Sequence, residues 1–428
     1  MRQLKYFCYG LCLLFFALAC SSDDSSVGET PPGQDFAPPN TDGGEPNIGD
    51  GSVNLRFTPC EGGNADVYPC NGYDLLLQIP LSSFGADRAN DIWGWTDATT
   101  NHEYALIGFD NGTAFVDITD TENPVYLGKL LTETSSSTWR DLKVYQDFVY
   151  IVSEAANHGM QVFDLTRLRN VSNPPVIFEA DARYTSIGNC HNVVINEEVG
   201  FVYPVGTARN DAFNGGVHFV DVQNPLNPNG VGGYADDGYT HDAQVVTYNG
   251  PDSDYTGREI FVGSNEDKIV ILDITDKSNP TRIETLTYPN IGYTHQGWFT
   301  EDHRFFILGD ELDEADFGFD SRTLVFDFED LDNPQLHMTY SGPTGAIDHN
   351  GYVLGNQFFL ANYTAGLRVL DISQIENQII TEEAFFDTFP QSNVAQFNGV
   401  WSVYPYFQSG KIAVSDINSG LFILQQSN

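Results

Sequence analysis

The sequence predicts an all-β fold, a β-propeller of seven blades closed by an N-terminal strand. Three observations carry this. Short apolar runs ending in Asp recur through the chain, at AFVDI (Asp117), QVFDL (Asp164), HFVDV (Asp221), VILDI (Asp273), LVFDF (Asp327) and RVLDI (Asp371), spaced 47, 57, 52, 54 and 44 residues apart. Each run is preceded by two more segments of β periodicity, as in HNVVIN, GFVYPVG and GVHFVDV of the third unit. Composition agrees: 40 Gly, 30 Phe and 21 Tyr in 428 residues favour strands and tight turns over helices. A repeat of this length holding about four strands is the size of a propeller blade. Such a blade cannot bury both faces alone, so neighbours must stack and the ring must close.

In chain order, residues 1–19 read as an export signal: Arg2 and Lys5, then an apolar stretch from Tyr6 to Leu18, too short for a stable span, and small residues ahead of Cys20. The pattern resembles a bacterial lipoprotein signal, in which Cys20 is lipidated. It departs from the usual form because Leu18 sits one place late, and an ordinary signal peptide with a chance cysteine is the alternative. Ser21, Ser22, Asp23 and Asp24 resemble an acidic tether that directs lipoproteins to the outer face of the outer membrane. A lipidated Cys20 would make the membrane contact by lipid anchor only. Residues 20–54, rich in Ser, Asp, Gly, Pro and Asn, read as a flexible tether, and residues 55–428 as the propeller.

Cys60 and Cys70 bracket CEGGNADVYPC. In an exported chain they are expected to form a local disulfide, a zinc site being disfavoured by the lack of a second Cys or His pair. Cys190 is left as a buried small hydrophobe, with a reactive thiol or a ligand beside His191 as the sharper alternative.

First strands of the seven blades are expected near Asp91, Arg140, His191, His241, His295, His349 and Gly399. The last unit offers only GVWSVYP, GKIAVSD and GLFILQQ. The segment GYDLLLQIPL, residues 72–81, has no blade of its own and is expected to supply the missing outer strand. The repeated Asp reads as a turn device; in four units Asn-Pro follows six residues later, at Asn123, Asn227, Asn279 and Asn333.

The strings CHNVV, THDAQVV, GREIFVGSNED, YTHQGWFTED, LGDELDE, DHNGYV, ANYTAGLRVLDIS and FNGVWSVYPYFQSGKIAVSD resemble the bacterial choice-of-anchor B family of exported proteins, built on LVIVD repeats. The resemblance spans about Cys60 to Leu424. It implies a surface-displayed propeller on a variable anchor, and it implies no established reaction or ligand.

Charge narrows the function. Lys+Arg is 19 and Asp+Glu is 59, a net −40, which repels phosphate backbones; no nucleic-acid partner is expected. Four histidines share one repeat position: His191, His241, His295 and His349 are separated by 50, 54 and 54 residues. First strands line a propeller's channel, so these imidazoles are expected at one height around it, as ligands for a transition metal such as Zn or as structural residues bonded to the next blade. Asp91 or Asp141 could complete or orient such a site. Asp310 and Glu311, in GDELDE, are expected to reach back toward it, while Asp313, Glu314, Asp316 and Asp320 offer oxygens for Ca²⁺ or form a solvated acidic loop. Asp252, Asp254 and Glu259 read as an acidic hairpin. His102, His158, His218, His303 and His337 lie outside the register. Trp93, Trp95, Trp139, Trp298, Tyr352, Tyr363, Trp401 and Tyr404 are expected at the same end, packing between blades or holding a sugar or peptide.

No Ser-His-Asp order or nucleophile elbow appears. The leading reading is a surface-anchored extracellular binding or adhesion module, whose partner is a protein or glycan, with a metal in the channel. The alternative is a metal-dependent hydrolase or lyase acting on an extracellular polymer, and the plainest reading is a scaffold subunit.

Overall fold

A computed structural model describes residues 57–427. The signal segment, Cys20 and the whole of the tether lie outside the described residues. Seven sheets, antiparallel but for one added strand in the first, follow one another along the chain, and their inner strands neighbour one another in a closed ring. Those inner strands are Ala89–Thr96, Arg140–Tyr145, Cys190–Asn196, Asp242–Thr247, Thr294–Phe299, Gly351–Leu354 and Val400–Tyr404. Among the described residues no helix is long and apolar enough to cross a membrane.

The turn role of the repeated Asp is borne out in all six runs. Asp117, Asp164, Asp221, Asp273, Asp327 and Asp371 each accept the backbone N–H two residues on, at 2.8–3.0 Å. In five of the runs this bond ends the third strand and starts the turn to the fourth; in blade six the strand runs on past Asp371 to Gln374, with an irregular register there.

The ring closes as expected. Tyr73–Ile79 pairs antiparallel with Gly420–Gln426 as the outer strand of blade seven. A bulge between Leu75 and Leu77 switches the alternation. Tyr73 and Leu75 therefore pack into the core between blades six and seven, and Leu77 and Ile79 into the core between blades seven and one.

Two features had no counterpart in the sequence reading. The hairpin Asn64–Ala65 and Tyr68–Asn71 adds two strands to the outer edge of blade six, through Cys70↔Phe386 and Asn71↔Phe385. The Cys60–Cys70 disulfide, with Cα atoms 6.0 Å apart, ties this hairpin to the segment before it, where the Cys60 N–H donates to Asp74 of the closing strand at 2.8 Å. In blade two, where Asn-Pro follows Asp164 only after nine residues, at Asn173-Pro174, a 3₁₀ turn at Leu165–Asn170 leads to Val176–Phe178, which pairs parallel with Val125–Leu131 of blade one before Ala182–Tyr184 returns to blade two. Arg169 seals this excursion on buried Asp97 of blade one at 2.6 and 2.8 Å, holding that carboxyl well below its usual range.

Candidate functional site

Polar side chains of the inner strands staple blade one to two, two to three, four to five and five to six. Asp91 accepts from Leu142 N–H at 3.2 Å, Asp141 from Val193 N–H at 2.8 Å, and Gln244 from Phe299 N–H at 2.8 Å. Gln296 both donates to and accepts from Gly351. Lys143 bridges the two aspartates, its Nζ 2.9 Å from Asp141 and 3.2 Å from Asp91, all three buried. Asp91 and Asp141 are thus bound to the neighbouring blade and to Lys143, and the expectation that one of them completes a histidine site is corrected.

The four register histidines do converge. Ring centroids lie 4.1 Å apart for His191–His241, 4.4 Å for His241–His295 and 4.3 Å for His295–His349, and all four rings are buried. Blade seven carries Gly399 at this level: with φ of +85° and the Tyr363 carbonyl against the place a Cβ would occupy, no imidazole fits there. Blade two carries Arg140, which donates to the Phe109 carbonyl of blade one at 3.0 Å and lies 3.2 Å from His158.

The row divides chemically. His191 Nδ1 lies 2.6 Å from Glu154. Burial opposes charge on this ring, but the carboxylate outweighs it and raises the imidazole above its ordinary range. His241 Nδ1 donates to the His295 carbonyl at 3.1 Å and His349 Nδ1 to the Trp401 carbonyl at 2.5 Å. A carbonyl can only accept, so both rings carry the proton on Nδ1 and present the Nε2 lone pair. Burial and the neighbouring imidazoles push His241 and His295 well below the usual value; burial, opposed by the bond to Trp401, takes His349 down to about 3. These three rings are neutral at pH 7, as metal ligation requires.

Glu311 completes the cluster. It follows the second strand of blade five, Phe305–Asp310, and its two oxygens lie 3.7 Å from His295 Nε2 and 3.7 Å from His349 Nε2. Tyr363 donates to Glu311 at 2.7 Å, while burial raises the carboxyl to about 7. One donor atom from each of His295, Glu311 and His349 lies within 4.8 Å of the others. His295 Nδ1 has no hydrogen-bond partner.

Of the six residues expected to form a metal site, the structure brings His295, His349 and Glu311 together. His241 adjoins them and His191 is turned to Glu154. Asp310 is turned away: it accepts from the N–H groups of Gly292, Tyr293 and Leu312 and from the Tyr288 hydroxyl, and so fixes the loop that presents Glu311. The acidic loop is only partly solvated. Asp313 and Glu314 are buried, Asp313 on Arg322, whereas Asp316 and Asp320 are exposed. Asp252 meets Asp330 and Asp332 of the next blade, not Glu259, which is buried against Lys277 and Tyr203.

The aromatic residues do not share one end. Trp139, Tyr363 and Trp401 pack at the histidine end. Trp93, Trp298, Tyr352 and Tyr404 form a second cluster with Tyr406 toward the far ends of the inner strands, and Trp95 stacks on Tyr104 inside a blade interface. Glu154 was missed in sequence, and Tyr363 was expected to pack between blades or hold a ligand, not to bond Glu311. Glu154 had a signal, since it follows the second strand of blade two as Glu311 follows that of blade five.

An LVIVD repeat is recognised at residues 257–287, which span the three outer strands of blade four. No curated protein matches the chain. A β-propeller bearing this repeat fits a binding or adhesion type of module.

Proposed function

We propose that the protein is an exported, lipid-anchored propeller of the choice-of-anchor B kind, displayed at the outer membrane as a binding or adhesion module for an extracellular protein or glycan, and that His295, Glu311 and His349 hold a divalent transition metal at one end of its channel. One observation carries the metal reading. Two neutral imidazoles and a carboxylate from adjacent blades meet in a buried pocket, and the His349 Nε2 lone pair is fixed toward Glu311 by the Nδ1–H bond to blade seven. A ligating histidine is commonly oriented through its other nitrogen in this way. Two His and one carboxylate are a donor set for zinc or iron, and the bound ion would offset the burial of the Glu311 carboxylate. Ca²⁺, which prefers all-oxygen ligands, suits the Asp252, Asp330 and Asp332 group better.

A second reading, a metal-dependent hydrolase or lyase, is favoured by the count of three protein donors, which leaves a coordination position for water or substrate. The ion would supply Lewis acidity; His241, neutral and 4.4 Å from His295 between ring centroids, is placed to accept a proton.

Elemental analysis of protein purified without added metal or chelator tests the site. The expected result is about one transition metal per chain, lost in His295→Ala/His349→Ala with far-UV CD unchanged. A metal-free wild type, or full retention in the double variant, refutes it. Cys20→Ser tests the anchor: the variant should leave the membrane fraction, and an unchanged distribution refutes lipidation.

A further inference from the structure

The second aromatic cluster surrounds a cavity of about 640 Å³ at the end of the channel away from the histidines. Trp93, Trp298, Tyr404 and Tyr406 contribute to its walls, and Glu197 and Glu301 to its lining. Its walls come from the far halves of the inner strands, whereas the histidines stand at or before the starts of theirs. The cavity is therefore separate from the metal cluster.

Its electrostatics select the ligand. Lys143 is the only Lys or Arg in the lining, and its ammonium is already held by Asp91 and Asp141 while resting 4.7 Å from the Trp93 ring centre. Asp242 adds a third carboxylate acting on that one ammonium. Asp91 and Asp141 press against one another beside this ammonium, so no cationic charge is left over for the cavity. Among the described residues Glu197 makes no ion pair or side-chain hydrogen bond, and no Lys or Arg lies over Trp298, Tyr404 or Tyr406. Electron-rich ring faces and uncompensated carboxylates repel anions and attract cations, the more so in a concave, partly desolvated site. The volume suits a small organic ion.

We propose that this cavity is a binding site for an alkylammonium group, held between the faces of Trp298 and Tyr404 and neutralised by Glu197. The inference does not rest on the metal reading, because no residue of the metal cluster lines the cavity. The group has two sources, a free small amine or the side chain of a lysine on a partner protein.

The test is a tryptophan-fluorescence and calorimetric titration of the purified protein with tetramethylammonium chloride, with a lysine-containing tripeptide, with the same peptide carrying norleucine, and with methyl glucoside. Saturable binding of an ammonium probe is expected, weakened about ten-fold by Trp298→Ala. Glu197→Gln, a rim change that leaves the packing intact, is expected to weaken it and to flatten its salt dependence. Tighter binding of the lysine peptide than of tetramethylammonium assigns a protein partner; the reverse order assigns a free amine. Absence of saturable ammonium binding overturns the proposal, as does equal binding of the norleucine peptide. Binding of methyl glucoside without binding of either ammonium probe also overturns it and gives the cavity to a neutral glycan.

Discussion

Leu77→Ala isolates the contribution of the closing strand. Leu77 is fully buried, lies opposite Ile423 across the blade-seven sheet, and packs in the core shared by blades seven and one with Ile79, Leu421 and Ile92. Burying a leucine side chain contributes about 2 kcal/mol by transfer alone, and a site walled by three strands and a neighbouring blade cannot collapse, so the cavity term raises the loss to about 3–4 kcal/mol. About 370 described residues unfolding together carry an entropy near 0.8 kcal/mol/K, so the melting temperature should fall by about 4–5 °C. The control is Leu226→Ala, on an exposed turn in blade three, which should change it by less than about 1 °C. Differential scanning calorimetry at fixed scan rate and pH reads both. Equal melting temperatures for Leu77→Ala and wild type would show that this strand does not close the ring. A separate low-temperature transition confined to Leu77→Ala would show that blade seven unfolds apart from the rest.

Two further outcomes follow from buried charge. Lys143→Met removes the ammonium that the coupled Asp91–Asp141 pair holds and leaves the pair's negative charge buried without a counter-charge, so urea denaturation at pH 7 should show a loss of about 3–5 kcal/mol; an unchanged stability would mean that the pair carries no charge in the fold. Burial raises Asp416 and Asp242 from 3.8 to about 6. A carboxyl whose folded value lies above its unfolded value stabilises below pH 4 and loses that contribution as pH rises through 6, up to about 3 kcal/mol each. Below pH 4 the sign reverses. Asp97 and Asp211 are held well below their usual range, so their contribution disappears as acid protonates them. Stability should therefore peak near pH 4, and Asp416→Asn should flatten the fall above it. A maximum above pH 8 would contradict this assignment.

The blade repeat was legible because it rests on local chemistry. The repeated Asp of the third strands bonds a backbone N–H two residues on, so its position is written within one turn, and the histidine register follows from the same period. Closure by residues 72–81 was legible from counting strands. The docking of Asn64–Ala65 and Tyr68–Asn71 on blade six was not, because the pairing of Cys70 with Phe386 joins residues more than three hundred positions apart, and no periodicity records it. The acidic loop shows the same limit. Asp310 and Glu311 are adjacent, but Asp310 is the last residue of a strand and turns to the Gly292–Tyr293 backbone, whereas Glu311 follows the strand and faces the histidines. Strand alternation decides which of two neighbouring carboxylates faces the channel, and a one-residue uncertainty in the strand end reverses that choice. The aromatic residues were assigned to one end for a related reason: an inner strand of six or seven residues reaches from one mouth of the channel toward the other, so residues close in sequence serve opposite ends.

The central claim is that one metal ion is held by two imidazoles and one carboxylate. X-ray absorption at the edge of the bound metal, compared between wild type and Glu311→Gln, addresses it directly. The account predicts two imidazole nitrogens at about 2.0–2.1 Å with a low-Z oxygen shell completing the site, and a changed oxygen shell with both imidazoles retained in the variant. A sulfur shell, a site of oxygens alone, or identical spectra from the two proteins would contradict it.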